Sequence, residues 1–224
     1  MKLHYSPAST TSLPIVLFCA DNGIPLDLQA VDLMSGQHKS EAYLKINPWG
    51  LVPALDDDGF VLTESSAILK YVADKVESAA YPRDRKKRAR VNECMDWVNT
   101  QIYRELGYHY VYPQILPHHV RSPEAAQTAT VEWGRDQASR ALATLDQVLG
   151  PNPYLCGDEI TIADYFAAEV LHAGSLVGAD YARYPNVQRW LDTMKARPSW
   201  GEVNQVYDGL AASLADKSFV PLSA

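Results

Sequence analysis

The chain crowds five hydroxyl side chains, Ser6, Ser9, Thr10, Thr11 and Ser12, into the stretch just ahead of Leu13 and Pro14. Proline suits the first turn of a helix, and a helix start needs one capping hydroxyl, for which Ser12 stands closest. The other hydroxyls exceed what a loop requires. They do not make a serine hydrolase, because the segment lacks a G-x-S-x-G elbow and an evident base. A second group, Glu64 and Ser65 in "TESSAIL", stands where a strand should meet a helix. Free amides at a helix N-terminus bind a carboxylate, and Glu64 beside them would pair with an amine. A ligand bearing an α-amino and an α-carboxylate group would satisfy both; the competing reading is that Ser65 or Ser66 only caps the helix. The third group is Val52-Pro53. A proline there marks an edge, a bulge or a cis bond. The cis form would turn Val52's amide and carbonyl toward an extended peptide, and the trans form would simply start a strand. Both stay open on sequence. His109, His118 and His119 fit no common zinc spacing, so no metal is expected.

The elements that must hold these groups can be read from hydrophobic period. "MKLHY" and "LDLQAVDL" alternate as strands, with "LPIVLFCADNG" as a helix between Pro14 and Gly23. Strand, helix and strand at this spacing form a βαβ unit with parallel strands. "SGQHKSEAYLKINPWG" reads as a loop with a helical turn, and "LVPALDDDGF" with "VLTE" as a hairpin turning at "DDDG". "SSAILKYVADKV" is amphipathic, with Ile68, Leu69, Val72 and Val76 on its apolar face. From Ala89 onward only helical periods recur, the longest in "RARVNECMDWVNTQIYRELGYHYVY" and "EAAQTATVEWGRDQASRALATLDQVLG". The expected fold is therefore an α+β domain (βαβ-ββα) over residues 1–78, a linker over 79–88, and an all-helical bundle over 89–224.

At 224 residues and 47% hydrophobic content the chain can bury a real core. A net charge of −7 and a pI near 5.3 argue against nucleic acid as a partner, which leaves "RDRKKRAR" as a solvated linker and first helical turn. No apolar run reaches the roughly 18 residues of a membrane span, so no membrane partner is expected. The N-terminus carries no apolar signal region, and the three cysteines, Cys19, Cys94 and Cys156, are widely spaced. A cytoplasmic protein without a disulfide framework is the expectation.

"VPAL" followed by "TESSAIL", after a βαβ start and before a helical region, resembles the cytosolic glutathione transferases. "YLCGDEITIADYFAAEVL" is similar to that family's folding signature, and "YPNVQRWLDTMKARPSW" to its C-terminal region. Within the signature, Thr161 and Asp164 have capping-box spacing, and Ile160 can staple onto Tyr165. The resemblance spans essentially the whole chain. It implies a thioredoxin-like first domain that binds glutathione as co-substrate, and a homodimer.

By the same resemblance, the γ-glutamyl end of glutathione would meet Glu64 and Ser65, its cysteinyl backbone would pair with Val52 beside a cis Pro53, and its glycyl carboxylate would meet His38 and Lys39 of "SGQHKS". Glutathione reacts as its thiolate, and a free thiol has a pKa near ~8.5. A hydrogen bond to the charged sulfur contributes about 1.5–3 kcal/mol and a helix N-terminus about 0.3–1 kcal/mol, which together lower the pKa by ~1–3 units. A hydroxyl donor is enough. Ser9 resembles the serine of theta-like and bacterial dehalogenase-type members and is the leading candidate; Thr10, Thr11 and Tyr5 are the others. The stretch departs from the theta pattern at Ser12 and Leu13, where cysteine and arginine are common. The second substrate, a small hydrophobic electrophile, would meet Asn99, Tyr103 and Tyr108 on an aromatic helix, where a tyrosine can donate to a leaving group. Trp97 and Cys19 read as core. The expected activity is conjugation or dehalogenation; a glutathione-dependent disulfide reductase and a non-catalytic binding protein on the same scaffold are the alternatives.

Overall fold

The computed structural model describes residues 1–222. Strands β1 (Lys2–Tyr5), β2 (Asp27–Ala30), β3 (Ala54–Asp57) and β4 (Phe60–Thr63) form one sheet in the order β2-β1-β3-β4. Helix α1 (Leu13–Asp21) connects β1 to β2, which run parallel; the other two pairings are antiparallel. After β2 come a 3₁₀ turn (Gln37–Lys39) and the short α2 (Glu41–Leu44), and after β4 comes α3 (Ser65–Lys75). This is the thioredoxin-like βαβ-ββα arrangement. The β3–β4 hairpin turns on Asp58 and Gly59, both at positive φ (53° and 90°). Asp-Gly is the pair that supplies two such residues, and that backbone matches the strand twist.

The apolar face of α3 buries Ile68, Leu69 and Val72, but Val76 is 41% exposed rather than on that face. The helix stops at Lys75, and Glu77 turns the chain away at φ 55°. The Glu77 and Ser78 amides then close onto the Asp74 and Ala73 carbonyls, which leaves Val76 outside the core.

A long rod follows: α4 (Arg85–Trp97), a π-helical segment (Val98–Val111) and α5 (Tyr112–Ile115). Asp84 caps it, accepting from the Lys86 and Lys87 amides at 3.1 and 2.9 Å. The rest of the helical part is α6 (Glu124–Leu149), α7 (Ile162–His172) with a 3₁₀ extension (Ala173–Val177), α8 (Pro185–Lys195) and α9 (Trp200–Ser213). Every residue of α7 is buried, so it forms the axis around which the others pack. Its cap is a hub. Asp164 accepts from the Thr161 amide (2.8 Å) and hydroxyl (3.0 Å), the Leu155 amide (2.9 Å) and the Trp190 indole (3.0 Å). Burial still holds its carboxyl above the usual range.

Candidate functional site

The hydroxyl-rich loop runs from the end of β1 into α1, and its side chains point to different partners. Ser12 is fully buried and accepts the Ser6 amide at 3.3 Å; it makes no side-chain cap to α1, contrary to its expected role. Its own φ and ψ (−85°, −41°) are already helical, and the Ser9 carbonyl accepts from the Ser12 and Leu13 amides, so the first turn begins earlier than the pattern suggested. Thr10 is buried, with its Oγ1 3.4 Å from the Tyr112 hydroxyl. Thr11 donates to the Val52 carbonyl at 3.2 Å, and its Oγ1 lies 2.9 Å from Ser9 Oγ. A threonine hydroxyl has one proton. Because Thr11 spends it on Val52, Ser9 is the donor in the Ser9–Thr11 contact. Ser9 is half-buried.

Two further elements, the Val52-Pro53 turn and the start of α3, meet this loop at Thr11. Val52-Pro53 is cis, the form that sequence left open. The Ser65 hydroxyl donates to the Thr11 carbonyl, so its side chain braces the loop instead of capping α3. Glu64 occupies the N-cap position of α3 at φ 68°, ψ 117°, a conformation that non-glycine residues rarely hold. Strain of this kind costs of order 1–3 kcal/mol and persists where surroundings enforce it. Ser65, the first residue of α3, is buried directly after it.

The 3₁₀ turn after β2 carries His38 and Lys39. His38 Nδ1 is buried without a partner among the described residues. Burial pushes the His38 pKa down, helped by the charges of Lys39 and His118, so the ring is neutral near pH 7. The Lys39 ammonium donates to the Gly50 carbonyl at 2.8 Å and lies 3.4 Å from the Trp49 carbonyl. Gly50 permits this: its φ is 58°, and a Cβ there would stand 2.9 Å from the His38 carbonyl oxygen.

The aromatic wall is a cluster rather than a row. Tyr103, Tyr108 and Tyr112 pack edge to face, with ring centroids 5.3 to 6.2 Å apart, and His119 leans on both Tyr108 and Tyr112. The Tyr103 and Tyr112 hydroxyls are 3.1 Å apart, which extends the chain Thr10–Tyr112–Tyr103 from the loop into the rod. Burial raises the pKa of both tyrosines above 10, so both remain donors. Asn99 lies exposed one turn before Tyr103, and Tyr108 is 40% exposed. Tyr112 and His119 join this cluster, although sequence reasoning reads Tyr112 only as part of the aromatic helix and weighs His119 only as a metal ligand. Tyr110, between Tyr108 and Tyr112 in sequence, is fully buried and donates to the Val220 carbonyl, which makes it core. A cavity of about 110 Å³ lined by His172, Ser175, Tyr181 and Lys195 shares no residue with this cluster. It is smaller than the roughly 300–1,000 Å³ of ordinary ligand pockets. Among the described residues no group of three or more His, Cys, Asp or Glu gathers as a metal site.

Two family models match the chain: the glutathione S-transferase N-terminal domain over residues 8–75, and the glutathione S-transferase C-terminal domain over residues 110–198. Glutathione S-transferase theta-2B of Homo sapiens is 37% identical over 202 residues, which cover 88% of this chain and 81% of that protein. Among solved structures, human glutathione transferase theta-2, in complex with glutathione and an unknown ligand, aligns with a TM-score of 0.85 at 33% identity, covering 98% of this chain and 93% of that one. A delta-class glutathione transferase of Nilaparvata lugens aligns at 0.82 and 31%, covering 96% and 98%.

Proposed function

This chain belongs to the glutathione S-transferase family as a theta-like member, and from that premise we propose that Ser9 holds the sulfur of glutathione as a thiolate for attack on a small hydrophobic electrophile. The chain is a glutathione transferase with glutathione as co-substrate. What supports Ser9 is the proton count in the loop. Thr11 donates to Val52, Thr10 is engaged by Tyr112, and Ser12 is sealed beneath Ser6. Ser9 is half-buried, and its proton, spent only on the Thr11 hydroxyl, is redirected outward by rotation about one bond.

In this reading the rest of the tripeptide follows the same loop. The first free amides of α3, beginning with Ser65, take the γ-glutamyl carboxylate, and Glu64 takes its amine. Val52 beside Pro53 pairs with the cysteinyl unit, and Thr11 keeps the Val52 carbonyl oriented. The unpartnered Nδ1 of His38 donates to the glycyl carboxylate, while Lys39 anchors the turn and adds positive charge. Thr10 links this half to the electrophile wall, where Asn99, Tyr103 and Tyr108, joined by Tyr112, meet the second substrate. We further assign a homodimer acting in the cytoplasm, with residues 1–78 binding glutathione, 79–88 as linker and 89–224 as the helical domain.

The test is an ultraviolet titration of bound glutathione in the parent protein and in Ser9→Ala. The variant should raise the apparent thiol pKa by about 1–2 units and lower kcat/KM at pH 6.5–7 roughly 10–100-fold. An unchanged thiolate signal near neutral pH would overturn the Ser9 assignment.

A further inference from the structure

Cys94, on α4, and Cys156, in the loop before α7, are far apart in sequence and meet in the fold. The two thiols stand close enough to perturb each other's ionisation. Cys94 Sγ also lies 3.9 Å from the carbonyl of Leu155, the residue next to Cys156. Both side chains are half-buried at the margin of the core. The loop is pinned on either side of Cys156, since the Leu155 amide donates to Asp164 at 2.9 Å and Tyr154 bridges to Gly157. Glutathione conjugation as assigned above uses neither thiol.

We propose that Cys94 and Cys156 are a dithiol couple that closes to an intramolecular disulfide with glutathione disulfide as the oxidant. The Cys94 thiolate attacks one sulfur of glutathione disulfide, forming a mixed disulfide and releasing one glutathione thiolate. The Cys156 thiolate then attacks the Cys94 sulfur, forming the intramolecular bond and expelling the second glutathione thiolate. The two protein protons end on the two glutathiones; the protein loses two electrons and glutathione disulfide gains them. The neighbouring Cys156 thiol favours the Cys94 thiolate, against burial and the nearby Glu93 and Asp164 charges and with help from Arg90. Cys156 keeps its proton for the same reason, which sets the order of attack. The closed bond would tie α4, just before the π segment that carries Tyr103, to the loop that feeds α7.

The folded protein is incubated with glutathione disulfide, quenched in acid, alkylated in denaturant and digested without reduction. A peptide pair joined through Cys94 and Cys156, lighter by two hydrogens than the sum of its parts, is the expected product. Cys19, buried in α1 with its thiol pushed up to about 12, should remain reduced and alkylated. In Cys156→Ser, glutathione should accumulate on Cys94, and Cys94→Ser should give no cross-link. Full alkylation of Cys94 and Cys156 in the parent protein after prolonged exposure would overturn the proposal. So would stable glutathione on either residue of the parent without the cross-link. The parent's peptide map decides even if a variant fails to fold.

Discussion

Glu169, wholly buried in α7, shows how one side chain can set a pH dependence. Its Oε1 accepts from Asn204 at 3.0 Å, and its Oε2 has no partner among the described residues. Burial raises its pKa from 4.5 to about 8, opposed by the Asn204 bond and the Lys195 charge and assisted by Asp208. Between those values the native state holds a proton that the unfolded chain releases. Stability is therefore complete in this respect below about pH 4.5 and falls as pH rises toward 8, by about 1.4 kcal/mol per unit. Glu169→Gln should remove that slope, measured as urea unfolding at pH 5, 6, 7 and 8. Parallel slopes in both proteins would mean that the carboxyl is already ionised in the fold. At this same scale the loop hydroxyls divide by partner. Their excess was visible in the sequence, but which one stays available depends on Val52 and Tyr112, residues distant along the chain.

The rod that carries the aromatic wall is the element whose geometry departs most from its pattern. Tyr103 and Tyr112 are nine residues apart, about two and a half α-helical turns, and an α-helix would place them on opposite faces. The π-helical segment Val98–Val111 has wider turns and brings the two hydroxyls to 3.1 Å. A periodicity search at 3.6 residues per turn finds the helix and misses that convergence, which is why Tyr112 reads as part of the aromatic stretch and not as a site residue. The packing of this segment depends on Gly134 of α6. A Cβ there would stand 2.4 Å from the His109 carbonyl carbon and 2.7 Å from its Cβ. Helix propensity alone predicts that Gly134→Ala stabilises by about 1 kcal/mol, whereas the close approach predicts a net loss of roughly 1–3 kcal/mol. Thermal denaturation separates the two by sign, and a more stable variant would refute the close packing.

For the whole molecule, the sheet part and the helical part are joined through a carboxylate. Asp21, at the end of α1 and with no exposed side-chain surface, accepts from Arg197 Nε at 2.7 Å, the Ser199 amide at 3.2 Å and the Tyr165 hydroxyl at 3.3 Å. Burial would raise its pKa, but the Arg197 and Ser199 bonds and the Arg197 charge together hold it below the usual range. Its contribution is therefore present above that range and lost as pH falls through the lowered value. Arg197→Ala leaves this carboxylate short of its cation. Breaking a buried pair costs about 3–5 kcal/mol; because Arg197 is 30% exposed, roughly 2–3 kcal/mol is expected from urea unfolding at pH 7. Arg197→Lys should recover only part, since an ammonium cannot match the guanidinium fork that also reaches Tyr165 at 3.2 Å. A loss below about 0.5 kcal/mol for the alanine variant would place the junction's strength elsewhere.

Local pattern was enough for the element types and their order: strand alternation, the Asp-Gly turn, the capping box of Thr161 and Asp164, and the amphipathic α3 as far as Val72. Each of these rests on residues within a turn or two of one another, where period and capping chemistry act directly. The fold alone decided the cis state of Val52-Pro53, the brace from Ser65 to Thr11, the meeting of Thr10 with Tyr112 and the contact of Cys94 with Cys156. Even the exposure of Val76 followed from how the chain leaves α3. These outcomes depend on which distant side chain has a free proton, a spare lone pair or room to approach. That is a property of packing in three dimensions, and no spacing along the chain encodes it.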